Sequence, residues 1–96
     1  MEQTQLLAKL KEFKATHQQE YNIMLLGVFG SYSRNEANQA SDVDVVVQLS
    51  RQDLFQIIGI KQDLEEMLHM PVDVACYRPN MNPFLKKCIE RETIYV

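Results

Sequence analysis

Three aspartates and one Gly-Ser dipeptide are the residues whose types and spacing could support chemistry. Gly30-Ser31 is followed by ten residues and then by Asp42 and Asp44, which are separated by a single valine. Because side chains alternate between the two faces of a strand, Asp42 and Asp44 would point to the same face. Another aspartate, Asp73, lies in a second β-branched segment. The sequence therefore predicts that the carboxylates of Asp42 and Asp44 point to one place, which Asp73 would share if its strand pairs alongside.

These carboxylates are suited to binding divalent cations. If the strand of Asp73 pairs beside that of Asp42 and Asp44, three negative charges converge and repel one another unless cations lie between them. Mg²⁺ takes oxygen ligands, and it usually binds through a few carboxylates plus substrate phosphates. Two such ions can stabilise the attacking and leaving oxygens of a displacement at phosphorus. We expect Asp42 and Asp44 to bridge two Mg²⁺ ions, or Mn²⁺ in their place. Asp73 would be a further metal ligand and a candidate base, so all three are the predicted catalytic residues.

The Gly-Ser dipeptide supplies the complementary group for a phosphate. Glycine lets the backbone approach a phosphate closely, and unpaired N–H groups at the start of a helix attract anions. Ser33 and Glu36 have the S-x-x-E spacing of a capping box, which predicts a short helix directly after Gly30-Ser31. The dipeptide would then hold the β- and γ-phosphates of a nucleoside triphosphate. Arg34 would pair either with a phosphate or with a carboxylate, Glu36 or Asp42.

Alternating helices and strands are predicted to position these residues. Apolar residues recur at helical spacing in the first segment, whereas the aspartates lie beside runs that are typical of buried strands. The predicted elements are a helix from Leu6, a strand over 21–29, the short helix after Ser33, a strand over 43–49, a helix from Asp53 to Pro71, a strand over 72–77, a helix over 84–89 and an edge strand over 94–96. This order predicts an α/β (α+β) fold in which a small mixed sheet of three or four strands packs against helices, in a single domain over 1–96.

Composition narrows the class of partner and the compartment. A formal charge of −3 and a pI of about 5.3 disfavour a polynucleotide groove, although a metal could still attract a mononucleotide. The apolar run Ile23–Phe29 is much shorter than the roughly 20 residues of a membrane span. The first residues lack the pattern of a signal peptide. We therefore expect a cytoplasmic protein without a membrane segment, in which Cys76 and Cys88 are reduced.

At these motifs the sequence resembles the minimal nucleotidyltransferase family of the DNA polymerase β-like superfamily. The stretch 30–37 is similar to the family's Gly-Ser-x-Ala-Arg-Gly-Glu-Ala segment, 41–47 to its Ser-Asp-x-Asp strand, and 72–74 to its third-carboxylate strand. Ser33 replaces the usual alanine and Asn35 the usual glycine. Asparagine tolerates a left-handed backbone better than most residues, so we do not expect these departures to abolish activity.

The resemblance implies a function beyond what the residues alone indicate. Family members of this size resemble antitoxins that act on a HEPN-domain ribonuclease toxin, to which they add AMP from ATP at a tyrosine. By this resemblance, ATP is the nucleotide donor, Mg²⁺ the cofactor and a HEPN toxin the partner in a hetero-oligomer. Larger relatives carry a second domain that forms the acceptor site, so we expect a partner protein to present the acceptor here.

Two other functions stay open on the sequence. The first is an antitoxin that only binds its toxin and blocks it by mass action. The second is a transferase acting on a small molecule, such as an antibiotic, with its acceptor site completed by a homodimer. The joint presence of Asp42, Asp44, Asp73 and Gly30-Ser31 favours the enzyme over the binding-only antitoxin, and the neighbouring reading frame would separate the toxin-directed functions from the small-molecule one.

Overall fold

A computed structural model describes residues 1–38, 40–51 and 53–96 and confirms the predicted α/β architecture. Among these residues there are three helices and four strands. In chain order the elements are α1 (Gln3–His17), β1 (Ile23–Phe29), β2 (Val43–Leu49), α2 (Leu54–Leu68), β3 (Val72–Cys76), α3 (Pro83–Glu92) and β4 (Ile94–Tyr95). In the described part of the chain, no helix is both long enough and apolar enough to cross a membrane.

The four strands form one mixed sheet in the order β3-β2-β1-β4. β1 pairs antiparallel with both β2 and β4, whereas β2 and β3 run parallel. The helix α2 makes the crossover between the two parallel strands, as such a connection requires. This crossover brings the beginnings of β2 and β3 to the same edge of the sheet.

The core lies between the sheet and the helices α1 and α2. Alternate residues of β2, from Val43 through Val45 and Val47, are fully buried and pack with apolar residues of both helices, such as Leu10 and Leu64. Alternation sends the intervening residues of β2 to the opposite face. That face is where Asp44 lies, so burial of the valines decides which way the carboxylate points.

Side chains cap the amino-terminal ends of α2 and α3. Asp53 accepts a hydrogen bond from the backbone N–H of Phe55 at the start of α2, at 2.9 Å. Asn82 does the same for Phe84 and Leu85 at the start of α3, where Pro83 is the first helical residue. Such caps satisfy N–H groups that have no partner within the helix.

The prediction of a short helix after Gly30-Ser31 is wrong. Residues 30–35 instead form successive hydrogen-bonded turns, in which the backbone N–H groups of Ser33 and Arg34 both donate to the carbonyl of Gly30. The Ser33 hydroxyl also donates to this carbonyl, at 2.7 Å, so it does not cap a helix. Asn35 has a left-handed backbone with φ of 58°, which stops helical winding after one turn. Asn35 thus adopts the left-handed backbone that asparagine was expected to tolerate at this position.

Candidate active site

Asp44 and Asp73 lie side by side at one edge of the sheet. They are direct partners in the parallel register of β2 and β3, and both lie on the face opposite the core. Asp42 immediately precedes β2 and has the same alternation as Asp44. The sequence left open whether the strand of Asp73 pairs beside that of Asp44, and the structure shows that it does. Asp42 and Asp73 are exposed, whereas Asp44 is half-buried between them.

The electrostatics of this cluster centre on Asp44. Burial raises the pKa of the Asp44 carboxyl above its usual value, and the negative charges of Asp73 and Asp42 raise that pKa further. Arg34 opposes this shift, while Glu92 adds to it. The ionised form of Asp44 is therefore destabilised by its surroundings, and a bound cation would relieve the repulsion.

The carboxylates fit a divalent cation that is shared with a substrate. Among the residues described, no group of three His, Cys, Asp or Glu side chains is arranged to hold a metal by itself. Mg²⁺ rarely needs such a cage, because water and substrate phosphates complete its octahedral shell. The donor set here is all carboxylate oxygen, and the raised pKa of Asp44 marks a deficit of positive charge. These residues therefore suit an ion that arrives with a phosphate.

Gly30 lies directly against Asp44. It follows Phe29, whose register partner on β2 is Asp44, and its φ of 74° lies in the left-handed region. A Cβ atom added at Gly30 would collide with the Oδ2 atom of Asp44. Both the conformation and the close approach thus require glycine. The half-buried Ser31 accepts a hydrogen bond from the backbone N–H of Glu36 through its carbonyl, at 2.8 Å, which closes the turn.

Arg34 pairs with carboxylates. Its Nη1 atom lies 3.0 Å from Oε2 of Glu92, and its Nε atom lies 3.4 Å from Oε2 of Glu36. Of the alternatives left open by the sequence, the carboxylate pairing with Glu36 is present, and the ion pairs found for Arg34 do not include one with Asp42. The Arg34 side chain is 44% exposed. It can therefore also turn towards a ligand.

Two residues of the site were missed by sequence reasoning. Glu92, at the end of α3, contacts both Arg34 and the backbone N–H of Gly30. Gln3, at the start of α1, donates its side-chain amide to the carbonyls of Tyr32 and Ser33, at 2.8 and 3.1 Å, and ties the turn to the helix. Both are far from the turn in sequence, so no local spacing could have indicated these contacts.

Comparison with known proteins identifies the family. The sequence model of the family described as "Polymerase beta, Nucleotidyltransferase" matches residues 9–96. The chain belongs to this family. The resemblance seen in the sequence is therefore confirmed, and the chain is a nucleotidyltransferase whose Asp42, Asp44 and Asp73 lie together at the edge of the family's sheet.

Two relatives of this nucleotidyltransferase match nearly end to end. A Methanocaldococcus jannaschii protein, provisionally named a protein adenylyltransferase, is 32% identical over 95 residues, which cover 94% of this chain and 97% of the relative. Protein adenylyltransferase MntA of Thermococcus cleftensis is 30% identical over 95 residues, covering 94% of this chain and 95% of that protein. Both alignments include the whole turn and carboxylate region.

Solved structures agree on the fold. A structure described provisionally as a minimal nucleotidyltransferase superposes with a TM-score of 0.80 and 29% identity, covering 98% of this chain and 95% of the other. A chain of a toxin–antitoxin complex with AMP-PNP gives a TM-score of 0.73 at 20% identity, over 88% and 70% of the two chains. A chain of the complex between a tri-AMPylated Shewanella oneidensis HEPN toxin and an MNT antitoxin gives 0.63 at 22%, over 91% and 69%. At these lower identities the last two matches concern the fold alone.

Proposed function

We propose that this nucleotidyltransferase transfers AMP from ATP to a tyrosine hydroxyl of a HEPN-domain toxin and thereby acts as its antitoxin in the cytoplasm. The pairing of Asp44 with Asp73, beside Asp42 and against Gly30, is the observation that carries the proposal. Relatives at 30–32% identity named for protein adenylylation support AMP as the transferred group and a protein as the acceptor. Solved toxin–antitoxin complexes that contain a chain of the same fold support a toxin as the partner.

The turn would bind the triphosphate. In this proposal Gly30-Ser31 receives the β- and γ-phosphates, because glycine allows the closest backbone approach at this point and Arg34 can turn its guanidinium towards them. The close contact of Gly30 with Asp44 then sets the α-phosphate near the carboxylates. Binding the non-reacting phosphates at a fixed turn orients the α-phosphorus for attack.

The carboxylates would hold the cations and receive the proton. Asp42 and Asp44 would ligate Mg²⁺, with Asp73 as the additional ligand. When bound, Mg²⁺ supplies positive charge that stabilises the negative charge developing on the phosphoryl oxygens. The tyrosine oxygen forms a bond to the α-phosphorus, the bond from this phosphorus to the bridging oxygen breaks, and pyrophosphate leaves. The hydroxyl proton passes to a carboxylate, for which the exposed Asp73 is our candidate.

The exposure of the site supports a protein acceptor. Asp42, two residues before the half-buried Asp44, and Asp73, its partner on β3, are both open to solvent. A tyrosine on the surface of another protein could therefore approach the α-phosphate without entering a deep pocket. The match to relatives named protein adenylyltransferases, over 94% of this chain, is consistent with such an acceptor.

Labelled ATP tests the proposal. The enzyme, the HEPN protein encoded beside it and Mg²⁺ are incubated with ATP that is labelled either at the α- or at the γ-phosphate. We expect the α label in the HEPN protein, with pyrophosphate released in equal amount, and no γ label in protein. Asp42→Asn should abolish the transfer, whereas the control Glu12→Gln, on the exposed side of α1, should not. Incorporation of γ label, or equal transfer by Asp42→Asn, would contradict the proposal.

A further inference from the structure

Glu92 occupies the hydrogen-bond donors that the proposed function assigns to phosphate. It is the last residue of α3, and its side chain is only 15% exposed. Its Oε2 atom accepts from the backbone N–H of Gly30 at 3.3 Å and from Nη1 of Arg34 at 3.0 Å. A single carboxylate oxygen thus joins the turn to the arginine, in the way that a phosphate oxygen would.

We propose that Glu92 is an internal competitor for the phosphate site, which holds Gly30 and Arg34 in the nucleotide-free enzyme and is displaced when a triphosphate binds. The inference rests on the proposed function for the identity of the ligand. Its physical basis is that carboxylate and phosphate oxygens both accept hydrogen bonds from the same donors, and the N–H of Gly30 can satisfy only one acceptor well.

Charge gives a second reason for displacement. Glu92 adds to the negative potential at Asp44, which already carries the influence of Asp42 and Asp73. A triphosphate bound at the turn with Glu92 still in place would add more negative charge to the same small region. Arg34 and, at a longer distance, Arg91 pair with Glu92 there. The repulsion is relieved if the carboxylate rotates outwards.

The backbone around Glu92 is anchored, so the proposed displacement is a rotation of the side chain and not a movement of α3. Ile89 of α3 is fully buried, and two residues after Glu92 the chain enters β4, which pairs with β1 through Ile94 and Tyr95. The backbone of Glu92 is therefore fixed on both sides. An acidic residue at a helix carboxyl terminus is also disfavoured by the helix dipole, so its contacts with Gly30 and Arg34 compensate for an unfavourable position.

Substitution of Glu92 should strengthen anion binding. Glu92→Gln keeps the size of the side chain and removes the competing charge. The matched control is Glu90→Gln, which removes one charge from the exposed side of the same helix. Dissociation constants are measured by calorimetry for ATP with Mg²⁺ and, separately, for inorganic triphosphate in chelator. We expect Glu92→Gln to bind both probes about tenfold more tightly than the wild type, equivalent to about 1.4 kcal/mol. Glu90→Gln should stay within about twofold of the wild type, which is a change of less than about 0.5 kcal/mol.

The two probes separate failure of this inference from failure of the proposed function. Equal or weaker binding of inorganic triphosphate by folded Glu92→Gln overturns the inference, and weaker binding would make Glu92 a positioning residue for Arg34. If the wild type neither binds ATP with Mg²⁺ nor transfers AMP, the proposed function fails, while the triphosphate comparison still decides the role of Glu92. If Glu92→Gln does not fold, Glu92→Asp provides the test. Its shorter side chain keeps the charge but should lose the contact with Gly30, so this variant should bind triphosphate more tightly than the wild type.

Discussion

Replacing Asp44 by asparagine should make the metal-free protein more stable while abolishing its activity. Asparagine preserves the shape of the side chain and removes the carboxyl group, whose ionised form is destabilised by burial, by Asp73 and by Asp42. A residue kept for folding alone would give the opposite result. The substitution therefore separates a functional carboxylate from a structural one.

The magnitude follows from the register of the sheet. Asp44 and Asp73 are direct partners on neighbouring strands, which lie about 4.8 Å apart. Two unit charges at about 5 Å interact by about 3 kcal/mol at an effective dielectric constant of 20. Because Asp73 is exposed, solvent and salt reduce this to about 1 kcal/mol. For a domain of this size, such a gain raises the melting temperature by about 4–8 °C.

The effect depends on pH in a defined direction. The pKa of Asp44 is higher in the folded protein than in the unfolded chain, so the folded state binds more protons over the interval between the two values. The contribution of Asp44 to the stability of the wild type therefore falls as pH rises from about 4 through the folded pKa of Asp44. Asp44→Asn lacks this loss. Its advantage over the wild type should be present at about pH 7 and should disappear as the pH approaches about 4.

Urea unfolding in chelator at both pH values measures this difference, with Glu12→Gln as the control for removal of a distant charge. Adding Mg²⁺ and ATP should then stabilise the wild type by about 2.7 kcal/mol at a hundred times the dissociation constant. Asp44→Asn should gain much less. Asp44→Asn that is less stable than the wild type at about pH 7, by an amount unchanged at about pH 4, would refute the reasoning.

The remaining predictions concern the turn. Gly30→Val should cost about 1–3 kcal/mol of stability, measured by denaturation, because valine is strained in the left-handed backbone at this position. It should also abolish ATP binding, measured by calorimetry, because its Cβ atom collides with Asp44. Unchanged turnover in a folded variant would contradict this prediction. Ser31→Ala should leave the fold intact and weaken triphosphate binding roughly tenfold, since one hydrogen bond to a charged group contributes about 1.5 kcal/mol. Gln3→Leu frees the carbonyls of Tyr32 and Ser33 from α1 and should raise KM for ATP several-fold, and an unchanged KM would exclude a role for this contact.

The sequence predicts most of the fold because its signals are local. The apolar run of β1, the valine-rich segments of β2 and β3 and the helical spacing of apolar residues in α1 and α2 are each contained in one segment. Asp42 and Asp44 could be identified for the same reason, since alternation along this segment of the chain directs both side chains to one face. The parallel pairing of β2 with β3, by contrast, depends on how α2 crosses over the sheet.

Sequence reasoning failed where distant residues decide the structure. The S-x-x-E pattern at Ser33 predicted a helix start, but Asn35 in the left-handed region and the hydrogen bonds onto the Gly30 carbonyl produce a turn instead. Glu92 and Gln3 reach this turn from opposite ends of the chain. Their spacing from the motif carries no information, because only tertiary packing sets these contacts.

The mass of the HEPN protein that we propose as the partner, measured after incubation with this enzyme, tests the central claim most directly. With ATP and Mg²⁺, the wild type should raise the partner's intact mass by AMP-sized increments, which peptide mapping should place on a tyrosine. Asp42→Asn and Asp44→Asn should give no increment and should fail to neutralise the toxin at matched concentration. If both variants neutralise it as well as the wild type does, and no increment appears with any nucleoside triphosphate, the protein acts by binding alone and the catalytic account is wrong.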